Sequence, residues 1–140
     1  MPVSPDEAWT ELRTLLGARP GGFTEGDDLA VGVGERTLFV RVLPFGPDAV
    51  VQVMAPLLAS ASDSDALNEA VATMPLTWTR PLVFDDQDGR QVLLVHRFHA
   101  DQLRADVLDH AIATVAADAE RLDPELEAAF GATWTVEPPS

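Results

Sequence analysis

The chain has 140 residues, 46% of them hydrophobic, with no cysteine and a formal charge of −14 from 23 acidic and 9 basic residues. That length fits one domain able to bury about two-thirds of its unfolded surface, and the missing cysteines exclude disulfides and thiolate metal sites. Such a negative surface repels phosphate backbones and anionic headgroups, so nucleic acid is not expected as a partner; the charge either suits a basic or amphipathic polypeptide or serves solubility alone.

Ser4-Pro5-Asp6-Glu7 reads as a helix start, with Ser as N-cap, Pro at the first helical position and Glu placed to close a capping box. Ala8, Trp9, Leu12, Leu15 and Leu16 then follow at helical spacing, and Gly17 with Pro20-Gly21-Gly22 ends the helix. Leu29, Val31 and Val33 alternate with Ala30, Gly32 and Gly34, which predicts a strand with one crowded and one bare face. Gly34-Glu35 turns into a second strand over 36–43. The dense turn chemistry of Pro44-Phe45-Gly46-Pro47-Asp48 then leads into a third over 49–54, which Pro56 is expected to stop. The connections are too short for parallel crossovers, so the three strands form an antiparallel meander.

Ser60-Ala61-Ser62-Asp63 offers caps for a short helix carrying Ala66, Leu67, Ala70, Val71 and Met74, closed by Pro75. Strands over 81–84 and 90–98 flank Asp85-Asp86-Gln87-Asp88-Gly89, a hairpin turn. The last helix begins near Leu103 with Val107, Leu108, Ala111, Ile112, Val115, Ala119 and Leu122 on one face, and Pro124 is expected to reset it before Phe130. The order predicts an α+β fold, α-β-β-β-α-β-β-α. One five-stranded antiparallel sheet has its helices packed mainly on one face, in a single domain over 4–131 with a loose tail over 132–140. The opening residues lack the positive start and apolar run of a signal peptide, and no stretch reaches the roughly 18 apolar residues of a membrane span. A cytoplasmic protein without membrane insertion is expected by elimination.

Enzymatic chemistry finds little support. His96 and His99 are an odd number of positions apart, so a continued strand sends them to opposite faces; His99 is expected in a turn and His110 farther along a helix. A metal needs several such groups converging on one point, so no metal site is expected. Asp85 to Gly89 lacks the spacing and closing Glu of a calcium loop. Gly32-Val33-Gly34 lacks a third Gly, the chain has no Lys for a phosphate loop, and no Gly-x-Ser-x-Gly elbow exists. No catalytic residue and no cofactor is assigned. The strands are more informative: Phe39, Arg41 and Leu43 share one face and Leu38, Val40 and Val42 the other, while Val51 and Val53 oppose Val50, Gln52 and Met54. Both faces are partly apolar, which points to an oligomer, to a bound polypeptide, or to cover by a loop or the terminal helix.

From Leu67-Asn68 to Phe130 the chain resembles the YbjN family, within the type III secretion chaperone-like (CesT-like) fold. The residues that carry this are Leu67-Asn68, the break at Met74-Pro75, the hairpin with Asp88-Gly89-Arg90, the strand Val92 to Arg97, and His99-Ala100-Asp101-Gln102-Leu103 opening an acidic helix. The element order over 4–130 agrees. Thr77-Trp78-Thr79-Arg80 and the Gly-rich first strand depart from the pattern. The resemblance implies a non-enzymatic, chaperone-like homodimer that binds a polypeptide client in a bacterial secretion or stress pathway, without cofactor. By the same analogy a dimer contact is expected at Ala66, Leu67, Ala70, Val71 and Met74. A peptide groove is expected to use Trp9 and Leu12 of the first helix with Phe39, Arg41 and Leu43 of the open sheet face. The alternatives are a regulatory or structural domain that binds one folded partner, and an enzyme using His96 or His99 with a nearby Asp.

Overall fold

Local chemistry starts the first helix where the sequence places it. In a computed structural model describing residues 3–61, 65–73, 76, 79–86 and 89–130, α1 spans Pro5–Gly17. The Glu7 amide donates to Ser4 Oγ at 3.2 Å, and that hydroxyl donates in turn to Glu7 Oε1 at 3.1 Å. One amide and one hydroxyl at the helix start are thus satisfied without the helix ladder. Beyond Ala18, Gly21 and Gly22 take positive φ and turn the chain away.

The sheet follows as β1 (Leu29–Val33), β2 (Arg36–Phe45), β3 (Asp48–Ala61), β4 (Arg80–Asp86) and β5 (Gly89–His99). Its spatial order is β1-β2-β3-β5-β4, every neighbouring pair antiparallel. The β1–β2 and β2–β3 hairpins each close over two residues, with Gly34 and Gly46 at φ 61° in the first turn position, where an L side chain would be strained. Between β3 and β4 lies α2 (Asp65–Ala72), and a 3-10 turn, Ala100–Gln102, leads from β5 into α3 (Ala105–Phe130).

All three helices lend side chains to one core on one face of the sheet. Leu12 and Leu16 of α1, Leu67 of α2 and Leu108, Ile112 and Val115 of α3 join Leu38, Val40, Val51, Val53 and Leu94, all essentially without exposed surface. Each such side chain contributes about 2 kcal/mol by leaving water. Polar ties fix the layer laterally: Arg19 pairs with Asp109 of α3, and the Thr79 hydroxyl, itself buried, donates to Asp118 at 2.7 Å.

Four expectations about element boundaries need correction. Pro56 does not stop the third strand, which runs on to Ala61 with register shifts after Pro56. The β2–β3 register ends at the Phe39–Met54 pair, so from Pro56 onward β3 pairs with β5 alone and is locally an edge, where a missing amide is tolerated. Accordingly Ser60 and Ala61 continue that strand rather than cap α2. His99 is the last residue of β5 and not part of a turn, because the strand stays paired out to Val50. Finally α3 passes through Pro124 as one helix: proline deletes one ladder bond, and the helical bonds on either side remain. The turn residues 87–88, Met74-Pro75 and the expected tail over 132–140 lie outside the described residues.

Candidate functional site

Opposite the helices, the sheet presents three rows of cross-strand neighbours. The first joins Phe39, Met54 and Val95, the second Arg41, Gln52 and Arg97, the third Leu43, Val50 and His99. Side chains alternate across a pleated strand, so these positions face away from the helical core by the same parity that sends Leu38, Val40 and Val42 into it.

The first row is apolar and closed. Met54, Leu93 and Val95 are each less than a tenth exposed and form a second small cluster with Phe39 and Leu82 packed against it. Arginine dominates the second row. At one end Asp28 clamps the Arg41 guanidinium, Nε to Oδ1 at 2.5 Å and Nη2 to Oδ2 at 2.8 Å. That carboxylate hydrogen bond raises the Arg41 pKa above its usual value, against the opposing effect of burial. At the other end Arg97 Nε donates to Oε1 of the buried Gln52 at 2.5 Å.

The third row opens into a cleft of about 300 Å³ lined by Leu43, Pro44, Phe45, Val50, Arg97, Phe98 and His99. Phe45 stands at its rim, 64% exposed, the one large apolar side chain so exposed among the described residues. Its ring meets the His99 imidazole edge-on, centroids 6.1 Å apart. Asp48 holds the hairpin end, accepting the Ala49 amide at 2.8 Å, with its other oxygen 3.8 Å from His99 Nδ1. A second hollow, about 460 Å³, lies where α1 meets the 3-10 turn and is edged by Glu7, Glu11 and Asp101.

The structure divides the residues expected to form one peptide groove. Phe39, Arg41 and Leu43 share the open face, whereas Leu12 is fully buried under α1 on the opposite side. Trp9 packs half-buried on that same side with the Arg13 guanidinium 5.2 Å over its ring. Of the expected dimer contact, Leu67 is spent on the protein's own core, Ala70 and Val71 pack partly against it, and Ala66 is exposed. Met74 lies outside the described residues. His96 and His99 fall on opposite sheet faces and His110 is exposed on α3, so the three histidines do not converge. Among the described residues no group of three or more His, Asp or Glu side chains is placed to hold a metal, and no helix is long and apolar enough to cross a membrane.

Sequence reasoning did not single out Phe45, Arg97 or His99 as one site. A two-residue turn at Gly46-Pro47 pairs Phe45 with Asp48 and Leu43 with Val50, and that much is readable from turn chemistry. The juxtaposition with β5 is not, because its register against β3 spans an intervening helix and strand.

Residues 9–138 match the family model TY-Chap1, described as T3SS (YopN, CesT) and YbjN peptide-binding chaperone 1. The chain belongs to this family. Two solved structures are similar to this TY-Chap1 domain. One is the crystal structure of the ExsC–ExsE complex, with 16% identity and a TM-score of 0.61 over 89% of this chain and 96% of the matched chain. The other is YbjN from E. coli, with 11% identity and a TM-score of 0.57 over 91% of this chain and 96% of that one. At such identities the likeness speaks for the fold. No curated protein sequence matches the chain. The TY-Chap1 match makes the expected relation to YbjN and CesT-like chaperones a finding, and with it the protein-binding, chaperone-like character of the domain.

Proposed function

We propose that this protein is a non-enzymatic chaperone that works as a homodimer and holds an unfolded segment of a client polypeptide in the cytoplasm, in a bacterial secretion or stress pathway. The observation that carries the reading is the match to a peptide-binding chaperone family over residues 9–138. Residues 4–131 act as one domain in this scheme. The client lies along the open face past Phe39, Arg41 and Leu43, and Leu12 and Trp9 support that face from the helical side. Apolar client side chains fill the cleft beside Phe45, whose exposed ring would otherwise stay wet. The dimer contact uses Ala66, Ala70 and Val71 of α2 with Met74 next along the chain, while Leu67 anchors the helix to its own subunit.

Sedimentation equilibrium combined with fluorescence anisotropy tests both parts. A particle of twice the 15.0 kDa chain mass that binds labelled, reduced and carboxymethylated lactalbumin, and ignores the same protein in its native state, is the expected result. A monomer with no preference for the unfolded form would sink the proposal and leave a domain that recognises one folded partner.

A further inference from the structure

We propose that the cleft at the hairpin end of the open face is a selectivity site for client segments that place a carboxylate next to an apolar side chain. The inference rests on the peptide-binding reading and adds what the bound segment must look like. Its basis is a contrast within one row of the sheet. Arg41 is closed by Asp28, two hydrogen bonds to two carboxylate oxygens. Arg97, on the far side of Gln52 in that row, has a neutral partner instead. Gln52 is only 3% exposed, so its carboxamide is fixed, and it engages Nε alone. The two terminal nitrogens of Arg97 meet no acceptor among the described residues, and the side chain is exposed beside the cleft. A guanidinium held at Nε and open at both Nη atoms is pre-set for an end-on, two-bond grip on a carboxylate.

The surroundings complete the fit. Leu43, Val50 and Phe45 give the cleft an apolar wall, and its volume of about 300 Å³ matches the lower range of ligand clefts, roughly 300 Å³. Asp48, the nearest acid on the hairpin, is turned to the Ala49 amide and toward His99. A segment with an acidic residue beside Leu or Phe would therefore set its carboxylate on Arg97 and its apolar side chain against Phe45. Long-range electrostatics work against this choice, since a chain of net charge −14 repels acidic peptides. A measured preference for acids must then come from a local contact.

The test uses the whole protein and a synthetic array of short peptides tiled across lactalbumin, each made a second time with Asp and Glu replaced by Asn and Gln. The wild-type protein is expected to favour peptides with adjoining acidic and apolar residues, and amide replacement should weaken those by about tenfold, the scale of one charged contact. R97Q should bind the two versions equally, F45S should lose affinity for both, and R104Q, at an arginine outside the cleft lining, should keep the wild-type preference. Binding without acid preference, or a preference that survives R97Q, overturns the inference and leaves peptide binding standing. Failure to bind any peptide overturns both. A change of sedimenting mass in F45S with unaltered peptide selection identifies the cleft as a contact between copies and equally overturns the inference.

Discussion

On β5, Leu94 points into the helical layer and has no exposed surface, while Arg97 lies on the open face at the edge of a cleft. The same strand thus serves two regions with different requirements. The inner region is filled by side chains from all three helices, and its residues are held in place by packing that tolerates no missing volume. The outer region is graded: a closed apolar patch at Met54, Leu93 and Val95, then a polar row, then an exposed aromatic edge at Phe45. Burial is concentrated on one face, and exposed apolar surface is left at one end of the other.

That contrast can be broken most forcefully at Leu94. L94A leaves a cavity under the helices and is expected to cost about 3 kcal/mol in urea unfolding, enough to lower the midpoint markedly. G46A comes next, at about 1 kcal/mol, because the turn residue has φ 61° and a side chain there is strained. It should also loosen Phe45, so dye or peptide binding should fall along with the melting temperature. D28N should cost about 0.5 kcal/mol, screened by salt, as Arg41 and Asp28 are both partly exposed. The same change frees a second arginine on the open face. The sign of the pH effect follows from the raised Arg41 pKa: its stabilising share is fully present below the ordinary arginine value and is lost only as pH rises through the still higher folded value. Urea midpoints measured from neutral pH to pH 10 should therefore show no loss traceable to this pair. The smallest effect on stability is expected for F45S, within about 0.5 kcal/mol, since the ring is 64% exposed. Its readout is peptide affinity, and a large stability loss in F45S would erase the distinction between the two faces.

The element order was legible in the chain because its signals are local. Ser4 and Glu7 cap α1 as their side-chain chemistry requires, and the alternation in 36–43 sends Leu38, Val40 and Val42 inward and Phe39, Arg41 and Leu43 outward. Two boundaries misled for one reason. Pro56 and Pro124 are breakers by local rule, but Pro56 falls where β3 has lost β2 as a partner, and Pro124 deletes a single bond in a long helix. Of the residues expected to line a groove, the shared face of Phe39, Arg41 and Leu43 followed from pleating, whereas the place of Trp9 and Leu12 depended on which side α1 docks.

By itself, then, the sequence determined what acts over a few residues: caps, turns, strand parity, the absence of thiol and lysine chemistry, and the acidic charge. Only the tertiary structure decided that β5 lies between β3 and β4, that Gln52 stands between two arginines and bonds only Arg97, and that His99 and Phe45 wall one cleft. The physical reason is that pairing across distant segments is set by how the apolar faces of the whole chain are buried together, and no local preference encodes that sum.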